Sequence, residues 1–129
     1  MIEVIIAGDP MSQKRHRPSK WGGNYDPSSE EKKRIRNCFL PHKPPKPLTG
    51  HLHVTIVAFF RTPTSWSNKK KKEAEGAFRG KTPDVDNIAK IIFDALNNYI
   101  YKDDAQIVSS RVEKRYSVKP CTVIKILTR

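Results

Sequence analysis

Long apolar segments, paired cysteines and acidic residues are all scarce in this chain of 129 residues. No apolar run approaches the roughly 20 residues that span a bilayer, which predicts no membrane partner. The opening MIEVIIAGDP is short and already acidic at Glu3, unlike a secretory signal, so we expect a cytoplasmic protein. Cys38 and Cys121 lie far apart without CxxC spacing, which favours reduced, packed thiols over a disulfide or a zinc site.

The shortage of acids gives the chain a net charge of +12, with 25 basic residues against 13 acidic ones. Such an excess in a small protein predicts a polyanionic partner, most often nucleic acid. The acids are unevenly placed, because residues 84–104 carry a net charge of −3 while the rest of the chain carries +15. A protein that only binds DNA gains nothing from acids near phosphates, whereas a nuclease needs basic walls and a carboxylate pocket for a metal ion.

Hydrophobic patterning predicts one domain, 1–129, of α/β (α+β) class. β-branched or alternating runs predict strands, and a 3,4-spaced apolar stripe predicts the best helix. The expected fold is a mixed sheet of about four strands with helices, in the order β-α-β-α-α-β-β. The predicted elements are strands 2–7, 51–60, 106–116 and 121–128, and helices 28–39 (capped by Asp26 or Ser28), 84–97 and one that starts at Ser65 or Ser67 and ends near Gly76.

The predicted helix 84–97 places several charged side chains close together near its start. Its Ile stripe faces the core, while Asp86 and Lys90 lie together on the opposite side and Asp84 lies at the helix start. Asp103 and Asp104 return to this point if the strand from 106 packs beside the helix. Carboxylates with one lysine are the minimum set for metal-assisted phosphodiester hydrolysis, because Mg²⁺ is held by one or two carboxylates, water and substrate phosphate.

Each acid taken alone has an ordinary interpretation. Asp84 suits a helix N-cap, Asp86 with Lys90 suits an i, i+4 pair, and Asp103 with Asp104 suits a turn. The concentration of these acids in a strongly basic chain is what favours catalysis.

The stretches KTPDVDNIAKIIFDALN and YKDDAQI make a more specific pattern. They resemble the RusA family of Holliday-junction resolvases, apart from Thr82 between Lys81 and Pro83. The resemblance is specific over 81–107 and looser elsewhere. The matching positions are Asp84, Asp86, Asn87, Lys90, Asp94, Ala95, Leu96, Asp103, Asp104 and Gln106.

This resemblance implies a homodimer that resolves four-way junctions in branched DNA by paired symmetric nicks, in recombination and repair. It implies dependence on Mg²⁺, or on Mn²⁺ as a substitute. It also implies that Asp84, Asp86 and Asp104 are catalytic metal ligands and that Lys90 is important for cleavage. Asp94 is expected to be structural, because it lies about 80° around the helix from Asp86.

Further basic residues are candidate phosphate contacts, and a solvated surface is the alternative for them. Phe93, off the Ile stripe, is a candidate contact for a second copy or for the loop at 10–27. Two other classes of protein compete with the resolvase hypothesis. A PD-(D/E)xK nuclease needs an acid-x-Lys pattern that Glu113 and Asp104 do not supply, and a non-catalytic basic nucleic-acid-binding protein leaves the acidic segment unexplained. The candidate phosphate contacts are Lys14, Arg15, Arg17, Lys69, Lys70, Lys71 and Lys72.

Overall fold

The computed structural model describes residues 1–14, 17–18 and 22–129, with positions 17, 18 and 24 described by backbone alone. All the predicted helices and strands are present in the predicted order, with bounds that differ by one or two residues. A two-stranded ribbon within the predicted long loop adds two short strands. The elements are β1 Ile2–Ala7, β2 Arg17–Pro18, β3 Asn24–Tyr25, α1 Ser29–Phe39, β4 Leu52–Arg61, α2 Asn68–Ala74, α3 Val85–Leu96, β5 Ile107–Ser117 and β6 Cys121–Thr128.

The main sheet has the strand order β1-β6-β4-β5 and is mixed, as predicted. β6 runs antiparallel to both β1 and β4, while β4 and β5 are parallel. Parallel neighbours need a crossover connection, because the chain must return to the same end of the sheet. Here that connection holds α2 and α3, so the topology places the acidic segment beside the edge strand β5.

One face of the sheet forms the core with α1 and α3. Alternate residues of β4 are buried, among them Val54, Ile56 and Ala58, because successive side chains of a strand point to opposite faces. The Ile stripe of α3 closes over them, as its spacing predicts. The stripe residues Ile88, Ile91, Ile92, Ala95 and Leu96 are all buried.

The other face of the sheet carries no helix in the described part of the chain. Ile5 is 62% exposed there. A shallow hollow of about 160 Å³ is lined by Thr55, Val57, Phe59, Val123 and Lys125. The fold therefore has two layers, one of which leaves apolar side chains partly open to solvent.

The helices and the two cysteines relate to two further expectations from the sequence. None of the helices in the described ranges has the length and apolar character needed to cross a bilayer. Cys38 and Cys121 are both free and half-buried, in keeping with the prediction of packed thiols.

Candidate active site

A groove of about 550 Å³ lies between α3 and the edge strand β5. α3 contributes two parallel rows of side chains, because residues four apart share one face of a helix. One row is charged and the other apolar. The charged row is Asp86, Lys90 and Asp94, and the apolar row is Val85, Ala89 and Phe93.

The opposite wall of the groove is formed by β5, the strand that follows the crossover. Ser110 and Val112 lie on the core-facing side of β5, in register with the buried residues Val54 and Ile56. Asp104 completes the lining just before β5 begins. The structure thus brings Asp86, Lys90 and Asp104 into one groove and adds Asp94 and Phe93 to it. Asp94 was expected to be structural, and it lines this groove as well.

Asp84 lies at the N-cap of α3, one residue before the first lining residue. It occupies the N-cap position, but its side chain makes no capping hydrogen bond. Its carboxylate is exposed and outside the groove lining. The N-cap interpretation therefore accounts for where Asp84 lies but not for what its carboxylate does.

The loop that leads into Asp84 is held by the second half of β5. Residues 76–79 pair with this edge through backbone bonds such as Arg79 N to Lys114 O at 2.9 Å. Lys114 Nζ donates to the carbonyls of Lys81 at 2.7 Å and of Pro83 at 3.0 Å. These contacts fix the position of the start of α3 against the sheet.

The segment Asp103–Gln106 is a capped 3₁₀ turn in which the two aspartates have different environments. Asp103 accepts a hydrogen bond from Ala105 N at 3.0 Å, and Gln106 Oε1 accepts one from Asp103 N at 2.9 Å. Gln106 Nε2 also donates to Leu48 O and Gly50 O, both at 3.0 Å. Asp103 thus forms the turn, while Asp104 lines the groove.

Asn97, at the end of α3, connects the helix to Asp104. Its Oδ1 accepts a hydrogen bond from Asp104 N at 2.9 Å. The Asn97 side chain also acts to lower the pKa of the Asp104 carboxyl group. One amide therefore ties the backbone of Asp104 to the end of α3.

The net electrostatic effect on Asp104 is nevertheless unfavourable to ionisation. Burial, hydrogen bonding of the protonated Asp104 carboxyl group to Asp103, and the negative charges of Asp103 and Asp94 together raise the pKa of Asp104. Burial and the same acids also raise the pKa of Tyr101, whose hydroxyl donates to Phe93 O at 2.8 Å. The groove thus gathers negative charge that its own residues do not neutralise, and a cation would relieve it.

The donor set suits a cation that needs few protein ligands. Over the described ranges, no three His, Cys, Asp or Glu side chains converge into a complete metal cage. Mg²⁺ does not require one, because it keeps several waters and binds one or two carboxylates together with substrate phosphate. One or two of the groove carboxylates, such as Asp86 and Asp104, would be enough for that mode of binding.

The charged row is not an array of ion pairs. Among the described residues, Lys90 has no salt bridge or hydrogen bond, so the interpretation as an i, i+4 pair with Asp86 finds no contact. Asp94 lies 3.7 Å from Lys32 Nζ, which also contacts Asp26 at 2.5 Å. Lys90 is therefore available to a ligand, while Asp94 is partly neutralised by α1.

The candidate phosphate contacts lie in two regions. The ammonium of Lys14 is 3.0 Å from Glu31, an exposed pair that a phosphate can compete with. Arg15 lies outside the described residues, as does the side chain of Arg17. Gln13 N donates to Asn87 O at 2.9 Å, so the basic N-terminal loop is attached to the first turn of α3.

Lys69 to Lys72 lie on α2, whose N-cap is Ser67, one of the two residues predicted for that position. Lys70 Nζ lies 4.2 Å from the centroid of the Trp66 ring, and Trp66 packs at a tilt against the ring of Tyr116 in β5. Tyr116 is four residues beyond the groove residue Val112, about 13 Å along a strand. The run is thus on the same edge of the sheet as the groove, and its contact with phosphate remains a prediction.

Two positioning residues were not identified from the sequence. Asn97 was interpreted only as a helix end, although an Asn there rather than a Gly leaves a side chain available for hydrogen bonding. Lys114 was considered only within an acid-x-Lys pattern, although a lysine paired with the buried Ala58 breaks the apolar character of that strand face. Glu113 lies on the other face and is held by Arg111 at 2.8 Å and Arg115 at 3.1 Å, so the PD-(D/E)xK alternative gains no residue.

Comparison with known proteins supports the class of enzyme that the groove indicates. The sequence profile of the family described as Endodeoxyribonuclease RusA matches residues 7–127. The uncharacterized protein YqaN of Bacillus subtilis (strain 168) is 36% identical, over 97% of this chain and 94% of its own length. The chain belongs to the RusA endodeoxyribonuclease family, and this membership supports nuclease activity on branched DNA.

Proposed function

We propose that this protein is a divalent-metal-dependent endodeoxyribonuclease that resolves four-way DNA junctions in recombination and repair in the cytoplasm. The observation that carries the proposal is the groove in which Asp86, Lys90 and Asp104 meet inside the matched family region. A net charge of +15 outside this acidic segment supplies the attraction for DNA.

Each residue has a chemical role in the proposed reaction. Asp86 and Asp104 would hold Mg²⁺, or Mn²⁺ in its place, and Asp84 would contribute from the helix start. When bound, the ion lowers the pKa of a water molecule and stabilises charge on the phosphoryl oxygens. Lys90, unpaired among the described residues, neutralises charge that develops on the phosphate in the transition state.

The decisive experiment compares a synthetic four-way junction with linear duplex of the same sequence, with Mg²⁺ and with a chelator. Nicks in the junction that require the metal support the proposal. Binding of the junction without any nick would instead favour the alternative, a non-catalytic basic nucleic-acid-binding protein.

Asp86→Asn tests the site itself. The variant should lose nicking and keep junction affinity, because it removes a negative charge near phosphate. Asp103→Asn is the matched control, since it removes a neighbouring charge but keeps a side chain that caps the turn. Equal nicking by wild type and Asp86→Asn would exclude Asp86 as a metal ligand, and loss of folding would indicate a structural carboxylate.

We also propose a twofold-symmetric homodimer, because one chain has one acidic groove and junction resolution needs two cuts. The uncovered sheet face around Ile5, Val57 and Phe59 is an apolar surface suited to a second copy. Light scattering at micromolar concentration should give twice the mass of the chain, and Phe59→Glu should reduce it. A strict monomer that still makes coordinated paired nicks would contradict this proposal.

A further inference from the structure

The apolar side of the groove is not explained by metal binding. Val85, Ala89 and Phe93 form a row beside the charged row of α3, and Val112 faces them from β5. Mg²⁺ needs oxygen ligands and water, so a hydrolytic centre alone would be served by polar walls. Val85 is 42% exposed, and Phe93 packs on the core while still lining the groove.

The arrangement of the two rows matches the two parts of a nucleotide. The charged row and Asp104 suit a phosphate and its counterion, while the apolar row provides a surface about 12 Å long, from the rise of eight helical residues. Adjacent residues on a helix differ by about 100°, so the two rows form neighbouring sides of one groove. A ligand with an anionic end and a flat apolar end can contact both rows at once.

We propose that the apolar row is a subsite for the nucleobase next to the scissile phosphate, which leaves the base stack and packs against Phe93. This inference rests on the proposed function and adds how the substrate is held there. An aromatic face accepts any base, because every base has a π-face. Ser110, which also lines the groove, offers a hydroxyl to the base edge, and selectivity among bases resides there.

The charges in the groove favour a nucleotide over an apolar side chain from a second copy. Lys90 is unpaired in the described part of the chain, and the carboxyl groups of Asp86 and Asp104 line the same groove. A protein contact that covered the groove would bury these charges without partners. A nucleotide that arrives with its counterion brings opposite charges to both.

The test combines an enzyme variant with a substrate variant. A four-way junction is prepared with the intact base, and with an abasic nucleotide in turn on each side of the mapped cut. Wild-type kcat/KM should fall roughly 10- to 100-fold at one of the two abasic positions, the range expected for loss of one stacked base. Phe93→Ala should show a similar loss on the intact junction and cleave the intact and abasic junctions within about twofold of each other.

The ratio of kcat/KM on the intact junction to kcat/KM on the abasic junction does not depend on how much of the variant is folded, because both rates come from the same protein sample. Phe93→Leu, which keeps an apolar side chain in the core, should give an intermediate ratio. Val108→Ala is the control, since Val108 is an exposed β5 residue outside the groove lining and should keep the wild-type ratio.

Three outcomes would overturn the inference. If wild type cleaves both abasic junctions at the normal rate, no base is bound in the groove. If the loss from the abasic nucleotide and the loss from Phe93→Ala multiply when the two changes are combined, Phe93 does not bind the base. A change of oligomeric state in Phe93→Ala would assign the row to a second copy. Failure of wild type to cut any junction would instead overturn the proposed function and this inference with it.

Discussion

Replacement of Asn97 by alanine should separate the positioning of Asp104 from the general stability of the fold. The substitution removes the hydrogen bond that Asp104 N donates to Asn97 Oδ1. At roughly 1 kcal/mol for such a bond, the free energy of unfolding should fall by about 1 kcal/mol. That is a shift of roughly 3–5 °C in Tm for a domain of this length, so the variant remains folded at 25 °C.

The effect on cleavage should be larger than the effect on folding. Without Asn97, the Asp103–Gln106 turn is still held by its capping box, but Asp104 is no longer tied to the end of α3. A displacement of about 1 Å at a reacting centre can cost on the order of a hundredfold in rate. We expect that loss in nicking of a junction, together with a higher half-saturating Mg²⁺ concentration.

Asn98→Gly is the matched control for Asn97→Ala. Asn98 is exposed and has a φ of 58°, a conformation that glycine adopts without strain. This neighbouring change should leave cleavage and the Mg²⁺ requirement unchanged. If Asn97→Ala is destabilised as expected yet nicks at the wild-type rate and Mg²⁺ concentration, the idea that Asn97 orients Asp104 is refuted.

Two further predictions concern charge. Because the pKa of Asp104 is raised in the folded protein, its contribution to stability is fully present below the unfolded value near 3.8 and is lost as pH rises through the folded value. Asp104→Asn should therefore raise Tm at pH 7 without metal and reduce the pH dependence above pH 4 in thermal melts, and an unchanged melting curve would contradict this. Each charge removed from Lys69 to Lys72 should flatten the log–log salt dependence of junction binding by about one unit, whereas an unchanged slope would indicate a solvated surface.

Local pattern was sufficient to predict the fold class and the helix that carries the site. The Ile stripe of α3 is set by helical periodicity, and every residue of it is buried. The parallel pairing of β4 with β5 was not predictable from local pattern. It depends on the long crossover between them, and only that pairing makes β5 the second wall of the groove.

The structural role expected for Asp94 stays a prediction, because this residue both contacts Lys32 and lines the groove. An angle of about 80° separates Asp94 from Asp86 around the helix axis. The groove lining includes both residues, together with Ser110 and Val112 of β5. Side chains that act across long sequence separations, such as Lys114 on Pro83 31 residues away, were likewise outside any local pattern.

β5 lies at the edge of the sheet, and this position determines how DNA can reach the groove. The second half of its free edge is covered by residues 76–79, whereas Val108 to Arg111 in its first half are exposed, next to the groove. A site enclosed by a further strand would exclude a duplex, which is too wide to enter a closed cavity. Because the groove opens at an edge that bears α2 and its lysines, a backbone phosphate can reach Asp86 and Asp104 while flanking phosphates meet basic side chains. Under the proposed function, the acidic groove and the basic surface would act on adjacent parts of the same strand, as a basic nuclease with an acidic centre requires.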